Sequence, residues 1–387
     1  MACPSGTGIV TRPLRVWCET TTSRDHYLVA LMQPLAWRGT TRGSGYQHSL
    51  LGSWHDDGVA RIAAADIDDC DVAVLAFGLE AVDEHPELWR VAVDAAARAD
   101  AAGRVMLVFC HGDREIPAPG PTCVMLRTSM RAARSSDRDV ALPAWVADPD
   151  DLTPPVIAPY RTPPTVGFTG QAYPTGMAHR GWATRAVKRA KFTARTFATT
   201  AGVHDVLRMP PADASRSRAI AALERSDAVR TDFLIRDTMT RLDLDRASER
   251  AAQKEFLARI TSADYGLAVR GEGNYSYRLY ETLAARRPAV TMDTDVAWPA
   301  ATDVAWDAVT VCVRDRAFRQ LGPAVAAFHA QVGEHGWADL QEQCRAAWVR
   351  WLSAPAFLGR LVDRVQELVE AHGPAGLLPS AVAERLR

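Results

Sequence analysis

The chain has 387 residues, 48% hydrophobic and 24% charged, which suits two α/β domains and excludes a disordered or fibrous protein. Its formal net charge of −1 leaves no electrostatic footprint for nucleic acid or an anionic membrane. No apolar run nears the roughly 20 residues of a membrane span, and residues 1–15 lack the apolar core of a secretory leader, so a cytoplasmic protein without an integral membrane segment is expected.

In chain order, short apolar runs alternate with helical patterns, the signature of parallel α/β layers. Strands are expected at 14–19, 71–77, 104–110, 122–126 and 139–142, with a helix over 88–101. Residues 147–165 hold six prolines, which read as a linker between two domains. The second half restarts at 165–170, "TVGFTG", a strand running into a glycine turn. A basic helix over 180–198 and an amphipathic one over 246–261 follow. Next comes a strand–loop–helix–strand unit: 264–269, a loop at 270–275, a helix over 276–286 and a strand at 289–292, with Pro288 admitting the last strand. A strand at 309–313 and helices near 315–330, 337–352 and 355–372 complete the chain. The seven cysteines are scattered, without C-x-x-C pairs or other ligand spacing, so reduced thiols and no metal site are expected.

The segment "RGEGNYSYRLYE", 270–281, is the most informative. Gly271 and Gly273 allow main-chain N–H groups to approach a ligand. The following helix points its positive N-terminal end at the same place. Arg270 and Arg278 suit phosphate oxygens, and Glu281, three residues after Arg278, suits the paired hydroxyls of a ribose. A competing reading makes Arg278 and Glu281 a surface ion pair worth about 0.2–0.5 kcal/mol. Ser276 reads first as the helix cap and second as a phosphate contact. Tyr275 and Tyr277 read either as packing residues or as a platform for a base. Gly167, Thr169 and Gly170 form a turn that either approaches a diphosphate or is simply tight. Arg180 or Arg185 reads as a phosphate contact on a helix whose charges otherwise read as a solvated face.

Residues 262–295 resemble the signature of exostosin-like glycosyltransferases, glycosyltransferase family 47. Arg270-Gly271, Ser276, Arg278, Glu281, Leu283, Ala284, Pro288 and Val290 match its pattern. Thr282 stands where the family usually has Ala, and Arg287 where it often has a small residue. Weaker similarity runs through 66–77, 103–113, 137–145 and 161–170, but the family's Asp-His pair is not intact. His111 and Asp113 follow the strand instead.

The resemblance implies a GT-B architecture of two Rossmann-like domains facing a cleft. Residues 1–160 would bind acceptor, 161–350 the nucleotide-sugar, and helices over 351–387 would pack back on the first domain. It also implies inverting transfer of a sugar from a nucleotide-diphosphate sugar to a hydroxyl of a glycan or small molecule, without metal or other cofactor. Inversion needs a base. Asp113 ranks first, followed by Glu19 and His111, these three at strand ends, and then Asp56 in "GSWHDDG"; a turn-forming Asp113 is the competing reading. Asp293 and Asp295 either touch the transferred sugar or are ordinary loop acids. High Ala, Arg and Asp content resembles a bacterial protein of high-GC coding. Two other classes stay open: a sugar-nucleotide epimerase or hydrolase sharing the donor site, and a non-catalytic nucleotide-sugar-binding subunit of an assembly.

Overall fold

The computed structural model describes residues 12–19, 28–36, 50–172, 212–236 and 246–387. Contacts divide the chain into two compact units. The first holds the described residues up to Ser129, with Arg134–Leu142 and Ala354–Arg387; the second holds Met130–Ala133 and Pro143–Ser353. Each is an α/β unit built on its own parallel sheet. The expected basic helix, with Arg180 and Arg185, lies outside the described residues.

The first sheet contains β1 (Leu14–Cys18), β2 (Ile62–Ala64), β3 (Val72–Val74), β4 (Met106–Cys110), β5 (Cys123–Arg127) and β6 (Asp139–Ala141). Their order is β2-β1-β3-β4-β5-β6, parallel throughout. Strands β4 and β5 read MLVFC and CVMLR and are buried along their whole length. A parallel sheet covered on both faces asks for such continuous apolar runs. Helix α1 (Trp54–Arg61) leads into β2, and α2 (Leu88–Ala101) connects β3 to β4. Ala92, Ala95, Ala96 and Ala99 form the buried face of α2. Their small side chains bring the helix so close to the chain before β5 that a Cβ at Gly120 would lie 2.8 Å from that of Ala96.

The second sheet contains β7 (Thr165–Gln171), β8 (Arg230–Arg236), β9 (Tyr265–Leu267), β10 (Ala289–Asp293) and β11 (Thr310–Arg314), in the order β11-β10-β9-β7-β8. These pairings are also parallel. Helix α3 (Ala212–Glu224) precedes β8, α4 (Arg246–Ser262) precedes β9, α5 (Tyr277–Ala284) joins β9 to β10, and α6 (Leu321–Ala347) follows β11. From β7 the chain winds out to β8, then returns past β7 to start β9. The winding direction therefore reverses between β7 and β9. In open parallel sheets ligands bind at such a reversal, beyond the carboxyl ends of the strands. The first sheet has the corresponding reversal between β1 and β3.

Strands β2 and β8 were not expected from the sequence. Both are edge strands, and their sequences, IAA and RTDFLIR, lack the long apolar run of a central strand. The two helices expected over 315–352 are one element, α6, interrupted at Gly333, whose φ of 65° and ψ of 173° suit glycine alone.

The proline-rich segment is strapped to the second unit. Asp150 pairs with Arg286 at 2.7 Å, and Arg345 reaches Asp148 at 2.8 Å and Asp150 at 3.1 Å. Gln341 closes a two-way bond with the main chain of Ala158, at 2.7 and 3.0 Å. The last helices, α7 (Ala354–His372) and α8 (Pro379–Leu386), belong to the first unit. There Arg61 bonds to the Gly359 carbonyl at 3.2 Å and pairs with Asp363, and Arg387 donates to the Asp139 carbonyl at 3.1 Å. No helix among the described residues is long and apolar enough to cross a membrane.

Candidate functional site

The second unit gathers most of the expected donor-site residues at the β7–β9 reversal. The two strands pair at Val166↔Tyr265 and Gly167↔Gly266. Past that point Thr169 and Gly170 pair only toward β8, with Leu234 and Ile235. The strands part, and the loop 270–275 begins beside the gap. Gly271 closes the loop by donating its N–H to the Tyr275 carbonyl at 2.9 Å.

Asn274 fixes the loop in place and was not foreseen. It is 1% exposed. Its amide donates to the carbonyls of Met130, Thr294 and Asp295 at 3.2, 3.3 and 3.3 Å, and its oxygen accepts from the Thr294 hydroxyl at 2.7 Å. An antiparallel bridge between Arg131 and Val296 adds to the same junction. Asp295 is thereby a structural acid, its carboxylate accepting from the Ala133 N–H at 3.2 Å.

Helix α5 delivers the charged pair. Leu279 and Leu283 are buried against the sheet, each worth about 1.5–3 kcal/mol. Thr282 rests over Gly266, where a Cβ would lie 2.3 Å from the Thr282 Oγ1. This seating turns Arg278 and Glu281 toward the β7 end. They form the i,i+3 ion pair of the competing reading, with the Arg278 and Glu281 side chains 27% and 13% exposed, so the pair is partly buried. The Arg278 guanidinium also lies over the Phe256 ring at 4.0 Å. A Cβ at Gly170 would stand 3.6 Å from its Nη2.

Arg270 is buried, and its Nη1 donates to the Gly271 carbonyl at 3.1 Å. Burial holds its guanidinium pKa below the ordinary value, with nearby Arg131 pushing the same way and Asp315 and Glu272 opposing. A second unforeseen residue, Arg216 of α3, donates to the Arg270 carbonyl at 3.3 Å. In "SRSRAIAALE" nothing separates Arg216 from Arg218; only the packing of α3 does. Strand ends, glycines and guanidinium groups thus converge into a surface suited to anions, with one carboxylate beside it.

Three expectations need correcting. Ser276 occupies the capping position with extended backbone, φ −143° and ψ 122°, but its side chain makes no capping bond. Gly167 is not in a turn; it lies within β7, where a Cβ would be 2.7 Å from that of Ala263. It is a glycine for helix–sheet packing, not for approach to a ligand. Thr169 likewise lies within the strand and is buried. Tyr275 and Tyr277 meet edge to face at 5.5 Å, and Tyr277 is 48% exposed.

In the first unit three of the expected base residues follow strand ends. Glu19, just past β1, pairs with Arg98, whose guanidinium also lies over Trp17 at 4.7 Å. His111 and Asp113 follow β4. Asp113 is exposed, and its carbonyl accepts from the Ser129 hydroxyl at 3.1 Å. Burial keeps His111 below its ordinary pKa, partly offset by Glu80. That Glu80, beyond β3 and so on the reversal of the first sheet, accepts the His111 N–H at 2.8 Å. A Cβ at Gly78 would lie 2.3 Å from its Oε1, so a glycine makes room for the carboxylate. Asp56 lies in the first turn of α1. Among the described residues no group of three or more His, Cys, Asp or Glu is arranged to hold a metal.

No protein-family model and no curated protein matches the chain. Among solved structures, it is similar to a spinosyn rhamnosyltransferase complexed with thymidine diphosphate, at 11% identity and TM-score 0.31, covering 91% of this chain and 100% of that one. It is similar to a glycosyltransferase from Rickettsia africae at 8% identity and TM-score 0.32, covering 92% and 99%. It is also similar to a putative UDP-N-acetylglucosamine 2-epimerase from Listeria monocytogenes at 11% identity and TM-score 0.30, covering 93% and 96%. Scores at this level carry no argument about activity.

Proposed function

We propose that the protein is an inverting glycosyltransferase of GT-B type, an outlying relative of the exostosin-like enzymes, that transfers a sugar from a nucleotide-diphosphate sugar to a hydroxyl. The observation that carries this reading is the convergence of Gly170, Arg270, Gly271, Arg278 and Glu281 at the β7–β9 reversal. In this proposal the diphosphate lies against the glycines and the ribose hydroxyls bond to Glu281. The acceptor oxygen, losing its proton to a base, attacks the anomeric carbon from the face opposite the diphosphate. The bond from that carbon to the diphosphate oxygen breaks, and the electron pair leaves with the phosphate. Arg270 and Arg278 neutralise the growing charge, the step where fixed cations contribute most. No metal is assigned a part.

For the base, Asp113 remains the proposed first choice. It is exposed just past the end of β4. The proposed acceptor is a glycan or a small molecule, and the proposed compartment is the cytoplasm.

The test is a thermal-shift panel of UDP, GDP, dTDP and ADP and their sugar conjugates, on wild type and Glu281→Ala. Ligand at 100 times Kd stabilises by about 2.7 kcal/mol, or roughly 5–10 °C for a unit of this size. One nucleotide should produce that shift in wild type and lose most of it in Glu281→Ala. No shift with any of them overturns the reading. Turnover of the sugar conjugate without acceptor would point to an epimerase or hydrolase instead.

A further inference from the structure

The donor site as proposed draws its cations from the loop after β9 and from α5. A third guanidinium reaches it from α3. On that helix Ala219, Ile220 and Leu223 are buried. Residues three and four apart share a helix face, so Arg216 is held on the side turned to the sheet. Its guanidinium carbon lies 5.8 Å from the Phe168 ring centroid, where the stem packs on β7. Its Nη2 bonds to the Arg270 carbonyl at 3.3 Å and lies 3.8 Å from where a Cβ of Gly271 would be. Arg278 stands in the equivalent relation to Gly170, at 3.6 Å. Gly170 near the end of β7 and Gly271 in the loop after β9 are therefore each overlooked by one guanidinium, from different helices, and Arg270 bonds to the Gly271 carbonyl. Gathering cations in this way is unfavourable by itself.

We propose that Arg216 is a ligand of the donor's second phosphate, the one bonded to the sugar, while Arg278 holds the first. The order follows from Glu281. A ribose at Glu281 sets the first phosphate near Arg278 and Gly170, on the same helix side, and leaves the second for Gly271 and Arg216. Arg216 then neutralises the phosphate that departs with the electron pair. This rests on the nucleotide-sugar reading above and adds a residue to it. An arginine suits the task better than a lysine, because its planar fork can grip two oxygens at once.

The test compares Kd for UDP, GDP, dTDP and ADP, and for the four matching monophosphates, by calorimetry on wild type, Arg216→Ala and Arg216→Lys. For the nucleotide that wild type binds, Arg216→Ala should weaken the diphosphate roughly 10- to 100-fold. The monophosphate should change less than about threefold, and Arg216→Lys should fall between. Thermal midpoints check folding, and if Arg216→Ala does not fold, the lysine variant is read alone against the same di-to-monophosphate ratio. Equal loss for both nucleotides assigns Arg216 a purely structural part and overturns the proposal, as does an unchanged diphosphate Kd. Wild type that binds none of the diphosphates overturns the nucleotide-sugar reading itself, and this proposal with it.

Discussion

The seating of α5 on β9 sets where Arg278 and Glu281 stand, and Gly266→Ala perturbs it most directly. The new methyl would meet Thr282 Oγ1 at 2.3 Å, Cγ2 at 2.7 Å and Cβ at 3.1 Å. Against an ordinary contact of roughly 3.5 Å, the helix must lift by about 1 Å or Thr282 must leave its rotamer. Thr282 is 1% exposed, so it has little room to turn. Overpacking of this kind costs about 1–3 kcal/mol, which for a unit of this size lowers Tm by roughly 2–10 °C. The same lift draws Arg278 and Glu281 away from Gly170, so nucleotide affinity should fall alongside stability. Thr282→Ala removes Oγ1 and Cγ2, the two worst contacts. The double variant should therefore recover most of the loss, with a coupling of about 1–2 kcal/mol between the sites. Thermal and urea unfolding of the four proteins measures this. A Gly266→Ala protein within about 0.5 kcal/mol of wild type, or a double variant with strictly additive losses, refutes the argument.

Two further expectations concern buried polar groups. Arg287 is fully buried and bonds to the carbonyls of Ala263, Thr261 and Val156 at 2.9, 2.9 and 3.1 Å, and to Gln341 at 2.8 Å. Burial pushes its pKa down to about 10. Arg287→Met removes this donor from the three carbonyls and from Gln341 Oε1, which keeps its bond from the Ala158 N–H, and a loss of about 3–5 kcal/mol is expected in urea unfolding; a loss under about 1 kcal/mol would contradict it. His329 is also buried, with its Nε2–H donating to the Arg161 carbonyl at 2.9 Å and its Nδ1 accepting from the Tyr265 hydroxyl at 3.1 Å. Burial lowers its pKa, so the unfolded chain takes up the proton first. Its stabilisation is complete above about pH 6.5. It falls as pH drops below that value, by at most about 1.4 kcal/mol per pH unit, until the folded imidazole itself protonates. The difference between wild type and His329→Gln, followed from pH 8 to 5, should carry that slope; a pH-independent difference excludes it.

Much of this was legible along the chain, because the signals are local. Continuous apolar runs such as MLVFC fit central parallel strands, and "RGEGNYSYRLYE" carries its glycines, arginines and glutamate in one loop–helix unit. Residues so close in sequence share a site whatever the rest of the fold does. Tertiary structure alone decided what depends on neighbours far along the chain. Gly167 and Gly170 look alike in "GFTG", yet one meets Ala263 and the other Arg278. Arg287 stands beside Arg286 in the sequence, but packing encloses it among carbonyls more than twenty residues away. Arg216 and Asn274 acquire their places from the packing of α3 and from the loop after β10. A side chain's type is written in the sequence. Whether it faces a phosphate, a carbonyl or a methyl group is set by chain segments that meet only once the sheet has formed.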